Sequence, residues 1–386
     1  MVISIYDTNF TLHGDIDEID SLIWTRRYWS CGEFKLLVPS TARHSSLLKI
    51  GRLLIKRGDN EAGVILYRHI KTDDQGDEVI ELQGYFITGW IGKRVVRNQI
   101  ITTDTPPEIM RRIVRENVTN PTDVRRRINN ITLALTAGIN RPAIEYVSEE
   151  FTNALLALEA AAKASSLGFG VYTDFRAGQH SFQIYEGKNF TASHSPTPCI
   201  FSHENDTVLE QELLISIENV RSTAYVGGEE KENEVRQIIE VNPQASGLAR
   251  DEVYINASDI RQEYKEKEHT ELTMTGGQVY NAYLELATTP LNQYIAMLRE
   301  RGIAELENYT ETLAFSSKIN QDGNLQYKRD YNVGDLVTCV NTSWGVSIDV
   351  RITEVTETYQ PDSNDLHVTF GENLPTLFDA MRHIIT

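Results

Sequence analysis

The residues of this 386-residue chain that could carry chemistry are nine histidines, three cysteines and several clusters of charge. The histidines are scattered and form no H-x-x-x-H or H-x-H pair, so they show no metal-site spacing, and lone histidines of this kind are expected as structural or surface groups. Cys31, Cys199 and Cys339 lie far apart with no C-x-x-C pair. That excludes a disulfide framework and a thiolate zinc site. Asp15, Asp17, Glu18 and Asp20 make an acidic cluster. A calcium loop would need Gly at its sixth position and Glu at its twelfth, and neither is there, so a solvated turn is expected. Gly168-Phe169-Gly170 leaves a helix and enters a strand, the reverse of a dinucleotide-binding loop, and reads as a helix cap. There is no phosphate loop and no nucleophile elbow. A pair of carboxylates for glycoside hydrolysis has no fixed spacing and leaves no sequence signature. The expectation is no catalytic residue, no cofactor and no metal.

Charge is unevenly placed. The net formal charge is −18. Residues 1–193 hold 23 basic and 23 acidic groups, and residues 194–386 hold 14 basic and 32 acidic. A phosphate-binding role for the second half is therefore disfavoured. The first half has one basic cluster: Lys93, Arg94, Arg97, Arg111, Arg112, Arg115, Arg125, Arg126 and Arg127. No aromatic residue lies between 95 and 127 to stack on bases, so a solvated face or a contact with an acidic neighbouring subunit is expected rather than a nucleic-acid site.

The elements that would position these groups are mostly strands. Apolar residues make 40% of the chain and charged residues 24%, ordinary for a globular protein, and the length suggests roughly two to three domains. No 18-residue window is apolar enough to span a membrane, and no secretory signal is read at the start. Strands are expected at 2–6, 20–29, 33–38, 52–57, 63–70 and 78–88, with Arg57-Gly58-Asp59-Asn60 as a hairpin turn. Thr105-Pro106-Pro107-Glu108 reads as a capping box opening a helix. A second helix is expected from near Ser148, with Gly168 as its left-handed cap. Strands follow at 169–174, 180–186, 208–216, 219–225, 235–241 and 252–256. A helix is expected from Thr289, and strands return at 310–319, 335–340, 346–358 and 366–370. Alternation in the third of these slips at Val355, which suits a bulge. A short helix at 375–385 closes the reading. The fold class is α+β and β-rich, with two β-barrel domains and peripheral α/β parts. The expected limits are a first barrel at 1–98 (completed by strands from 200–240), an α/β domain at 99–195, a mixed region at 196–309 and a C-terminal barrel at 310–386.

Several strings resemble one known family. Ser21-Leu-Ile-Trp24-Thr25-Arg26-Arg27-Tyr28-Trp29, followed by Gly32-Glu33-Phe34, is similar to the opening of siphophage and prophage tail-hub proteins. Gly84-Tyr-Phe-Ile-Thr-Gly89-Trp-Ile-Gly92-Lys93-Arg94 looks like the next block of that family. Leu298-Arg-Glu-Arg301-Gly302 matches a helix ending. Tyr331-Asn-Val-Gly334-Asp335-Leu-Val, Trp344-Gly345, Arg351-Ile-Thr-Glu-Val355 and Val368-Thr-Phe-Gly371 match the C-terminal barrel. The resemblance implies a non-enzymatic structural protein of the virion tail tip, made in the bacterial host cytoplasm. It implies a homotrimeric ring, with two barrels per chain continuing the tail tube. The implied partners are the distal tail or tube protein, the tape-measure protein and fibre or receptor-binding proteins, with DNA passing through unbound. The acidic second half would suit a channel that does not trap DNA. Gly334 would sit at a tight corner, and Arg351 would pair across subunits.

Two other readings stand beside this one. The first is a tail-tip cell-wall or polysaccharide hydrolase with an unsigned carboxylate pair. The second is a carbohydrate-binding β protein using Trp24, Trp29, Trp90 or Trp344. Trp24 and Trp29 are an odd number of residues apart and take opposite faces of a regular strand.

Overall fold

A computed structural model describes all residues except 73–75, 137, 149–150, 231–234, 263–267, 274–278, 285–288, 307–308, 310 and 372–386. The helix expected at 375–385 lies outside the described residues. The chain divides into two units, residues 1–213 with 314–386, and residues 214–313. The fold is β-rich.

The first unit is built on a ten-stranded sheet that takes strands from both ends of the chain. Its order is Val208–Ser216, Thr312–Ile319, Asn364–Gly371, Val346–Tyr359, Ser21–Arg27, Glu33–Pro39, Glu78–Tyr85, Tyr67–Thr72. Leu336–Asn341 pairs with the first half of Val346–Tyr359 and takes Ile200–Phe201 in parallel. The joint between the chain ends is antiparallel, with Thr25 opposite Thr356 and Arg27 opposite Glu354. Alternation explains why this pairing holds. Leu22 and Trp24 on one strand, and Val355 on the other, are fully buried, and a one-residue slip would turn each outward. The register shift falls between Ile352 and Glu354 rather than at Val355. The extra residue there returns Val355 to the core.

Two barrels were expected at the two ends; among the described strands no closed barrel is found, and none of the sheets closes on its first strand. A four-stranded sheet of Leu12–Ile16, Ile3–Tyr6, Leu53–Lys56 and Ala62–Val64 lies beside the ten-stranded one. Ile3, Ile5, Leu22, Trp24, Phe34, Leu36 and Phe86 share the core between them. A second core joins Tyr28 to Phe201, Phe315, Val337 and Phe370.

The peripheral part of this unit sets the helices Pro106–Val114 and Ala154–Ser165 against the strands Gly168–Asp174 and Gln179–Tyr185. Two local expectations change here. Thr105 makes no side-chain cap; the Asp104 carboxylate takes the Thr105 N–H at 2.7 Å, and Glu108 pairs with Arg111 at 3.2 Å. The second helix starts at Ala154, where Asn153 accepts the Leu155 N–H at 2.9 Å. Ser166 takes the left-handed cap at φ 54° and Gly168 begins the next strand. Gly168 serves close packing instead: a Cβ there would meet the Tyr28 ring at 2.3 Å.

The second unit pairs Ile238–Val241, Thr223–Gly227 and Glu252–Asn256. The helix Leu291–Leu306 covers them with Tyr294, Leu298 and Leu306. It runs through Gly302, whose missing Cβ makes room for Val226 and Val241. The strand expected at 219–225 is displaced to 223–227.

Candidate functional site

The first unit encloses an ionic network assembled from distant parts of the sequence. The strand Leu53–Lys56 and the turn after it bring Lys56, Asp59 and Glu61 inward. Arg26 comes from Ser21–Arg27, Glu357 and Tyr359 from Val346–Tyr359, and Tyr327 and Lys328 from the preceding loop. Arg26 Nε donates to Glu61 Oε2 at 2.5 Å, and its Nη1 to the Tyr327 hydroxyl at 3.2 Å. Lys56 is bonded to Glu357, lies 3.7 Å from Asp59 and sits over the rings of Trp24 and Tyr359. Lys328 donates to Asp59 Oδ2 at 3.0 Å. Three cations thus face three carboxylates. Breaking such a set leaves a buried charge uncompensated, which is far costlier than losing a surface pair.

The surroundings push the carboxylates apart. Burial alone would raise the Asp59 carboxyl, but the charges of Arg26, Lys328 and Lys56 outweigh it and hold Asp59 at about 2. Glu61 moves the other way, since its burial outweighs the pull of Arg26. Burial also pulls Lys56 down, and Glu357 offsets only part of that.

A cleft of about 670 Å³ opens beside the network, lined by Arg26, Asp59, Tyr172, Tyr185, Lys328 and Asp335 among others. Its carboxylates are occupied. Asp59 holds Lys328, Asp330 holds Arg329 at 2.7 Å, and Glu186 holds Arg141 at 2.5 Å. Asp335 accepts the backbone N–H groups of Lys188 and Asn332 at 2.7 and 2.8 Å. Groups so engaged fix the wall of the cleft. Among the described residues, no three His, Cys, Asp or Glu are grouped to hold a metal.

The family-motif positions fall into a few places. Arg26 lies in the network. Arg27 bridges Glu354 at 2.6 Å and Glu33 at 2.7 Å. Gly32 and Gly89 lie under the rings of Phe86 and Tyr85, and Phe34 packs over Gly63. At Gly84 a Cβ would strike the Val64 carbonyl oxygen at 1.8 Å, so only glycine admits that backbone. Gly334, Asp335 and Arg351 gather around Tyr28: Arg351 donates to the Gly334 carbonyl at 2.5 Å and sits over the Tyr28 ring. Within its own chain, Arg351 is thus held at the corner formed by Tyr28 and Gly334. Arg94 donates to the Arg126 carbonyl at 2.6 Å, and Arg301 pairs with Asp259 at 2.7 Å in the second unit. Gly302 lies in the helix already described, and Gly371 ends the last described strand at φ 77°. Trp24 is fully buried, and Trp344 is 47% exposed after the strand Leu336–Asn341. Sequence reasoning missed Lys56, Asp59, Glu61, Lys328 and Glu357. The turn Arg57-Gly58-Asp59-Asn60 carried a signal, but only for a polar hairpin.

Comparison with known proteins places the fold. The tail protein from Neisseria meningitidis MC58 superimposes with a TM-score of 0.55 at 11% identity, covering 96% of each chain. The 43 kDa tail protein of prophage MuSo2 from Shewanella oneidensis gives 0.52 at 12% identity, over 96% of this chain and 98% of that one. Prophage tail protein gp18 from Listeria monocytogenes EGD-e gives 0.51 at 13%, over 100% and 98%. No curated protein sequence matches. Residues 2–372, nearly the whole chain, match the model of one family, and the chain accordingly belongs to the Siphovirus ReqiPepy6 Gp37-like protein family.

Proposed function

We propose that this chain is a structural component of a phage or prophage tail tip, three copies of which form a hub ring continuing the tail tube. The observation that carries the reading is the ten-stranded sheet with two complementary end strands. Tyr67–Thr72 ends it on one side, with Tyr67 45% exposed and with Arg68 and Lys71 along it. Val208–Ser216 ends it on the other, with Leu209 51% exposed and with Glu210 and Glu212 along it. An end strand presents unpaired backbone groups. Two different edges that complement each other make a head-to-tail contact, and such contacts generate rings when the rotation closes. In this reading residues 1–98 and 310–386 supply two tube-type barrel domains, and 99–195 and 196–309 the periphery. The ring links to the distal tail or tube protein, the tape-measure protein and fibre or receptor-binding parts, and performs no catalytic step.

The test is solution mass by light scattering across a concentration series. The expected species has three times the 43.8 kDa of one chain. Glu210→Lys combined with Glu212→Lys, which reverses the charge along one edge, is expected to leave monomers with unchanged circular dichroism. A wild-type monomer at every concentration refutes the ring.

A further inference from the structure

Three arginines of the basic cluster are brought together by an unusual piece of backbone. The helix Pro106–Val114 continues into a π-helical turn, Arg115–Thr119, a rare geometry that recurs at functional sites. The turn places Asn117, 3% exposed, between two strands of chain. Its Nδ2 donates to the Ile113 carbonyl at 2.9 Å. Its Oδ1 accepts from the Arg97 backbone N–H at 3.3 Å and from Arg126 Nη2 at 3.2 Å. Arg126 Nη2 also donates to the Val95 carbonyl at 2.5 Å, and Arg94 Nε to the Arg126 carbonyl at 2.6 Å.

Every one of these acceptors is neutral. The nearby carboxylates are engaged elsewhere: Asp123 with Arg125 at 2.8 Å, Glu116 with Arg112 at 2.7 Å and Glu108 with Arg111 at 3.2 Å. Among the described residues, the exposed Arg97 side chain has no hydrogen-bond or ion-pair partner. Partial burial, and then the charges of Arg97 and Arg94, push the Arg126 guanidinium below its ordinary value, against the pull of Asp123. The Arg94 and Arg126 guanidinium groups are therefore orientated by neutral oxygens, while Asp123, already paired with Arg125, shares its single negative charge with Arg97 and Arg126 and leaves the cluster with an excess of positive charge. Guanidinium groups held in this way match oxyanions in paired hydrogen bonds.

We infer that Arg94, Arg97 and Arg126 form a docking site for a carboxylate-rich surface of a protein partner. Carboxylate is favoured over nucleic-acid phosphate for two reasons. No aromatic residue lies between 95 and 127 to stack on bases, and the chain's net charge of −18 repels a polyanion as long as DNA. The acid excess of residues 194–386 also puts carboxylate-rich surface on other copies of this chain.

The test measures fluorescence anisotropy of a labelled short poly-glutamate peptide, and of a short DNA duplex, against the full chain at low and raised salt. The peptide is expected to bind at low salt, with affinity lost about tenfold in Arg97→Glu and restored in part by Arg97→Lys. Arg97→Glu changes an exposed, unpartnered side chain, so its thermal melt is expected to match wild type. Arg57→Glu, an exposed arginine outside the cluster, serves as the control and is expected to keep wild-type binding. Absence of peptide binding by the wild-type chain, or equal binding by Arg97→Glu, overturns the inference. Tighter binding of the duplex than of the peptide, with the same dependence on Arg97, overturns it in favour of a nucleic-acid site.

Discussion

Lys328 Nζ lies 3.0 Å from Oδ2 of Asp59, a side chain only 1% exposed, and joins residues 269 positions apart. The bond ties the turn after Leu53–Lys56 to the loop leading into the C-terminal strands. Lys56 and Glu357 make a second tie across the same seam. Arg26, Glu61 and Tyr327 make a third. The network thus fastens the two ends of the chain on which the shared sheet depends. Each of its carboxylates faces a cation.

Removing one member of the clamp should destabilise more than removing a surface ion pair. Asp59→Asn is expected to cost about 3 kcal/mol, because Lys56 and Arg26 lose a counter-charge in a buried setting. Arg125→Gln, which breaks an exposed pair with Asp123, should cost less than about 0.5 kcal/mol. Urea unfolding of both variants checks this, and equal midpoints would sink the clamp.

The two carboxylates predict opposite responses to pH. Asp59 is held at about 2 against an ordinary 3.8. A depressed carboxyl contributes stability above its unfolded value, and that contribution is lost as pH falls from 3.8 towards 2. The shift corresponds to about 2 kcal/mol. Glu61 is raised above its ordinary 4.5. The folded state therefore binds its proton more tightly, and stability falls as pH rises above 4.5. Relative to wild type, Asp59→Asn should flatten the acid limb below pH 3.8, and Glu61→Gln should flatten the slope above 4.5. Unfolding free energies measured across pH 2 to 7 decide both, and identical profiles for the two variants would contradict the assignment.

The tryptophans separate structural from surface roles. Trp24 is fully buried beneath the Lys56 ammonium, while Trp344 is 47% exposed and touches the Phe315 ring edge-on. Trp24→Ala should cost about 4 kcal/mol through the cavity it leaves. Trp344→Ala should cost less than about 1 kcal/mol. Since Trp90 is also buried, a carbohydrate-binding reading rests on the half-buried Trp29 and on Trp344, and a glycan array comparing wild type with Trp29→Ala and Trp344→Ala would show no difference if the protein is purely structural.

Much of the local structure was legible because each signal lies within a few residues. Ser21–Arg27, Glu33–Pro39 and Val346–Tyr359 alternate in period two, and that pattern located them. Their pairing was not legible. Thr25 faces Thr356 across 331 positions, and no local pattern records such a partner. Strand-rich ends led to the expectation of two barrels, and nothing local announced that strands from both ends share one sheet. The network was hidden for a different reason. Asp59 follows a glycine at φ +83° in a polar turn, and turn residues and buried ionic residues are the same types, so composition could not tell a solvated corner from a clamp. The capping box at Thr105 did not form: Pro107 has no N–H to offer the Thr105 hydroxyl, and Asp104 takes the Thr105 N–H that Glu108 would otherwise accept.

Gly334 gives the sharpest test of the packing around Tyr28. Its φ is +96°, in the region that glycine alone enters without strain, and a Cβ there would stand 2.3 Å from Cε2 of the Tyr28 ring. Tyr28 is fully buried and its hydroxyl donates to the Ser166 carbonyl at 3.0 Å, so the ring has no room to retreat. Gly345 provides the control, with φ +68° and no atom within 4 Å of a built Cβ. Gly345→Ala should cost about 1 kcal/mol, the backbone strain alone. Gly334→Ala adds the clash and should cost about 3 kcal/mol or more. Thermal melts of the two variants measure the difference. Equal losses would mean that the Tyr28 ring yields, and that the contact joining it to Gly334 and Arg351 does not fix this corner of the core.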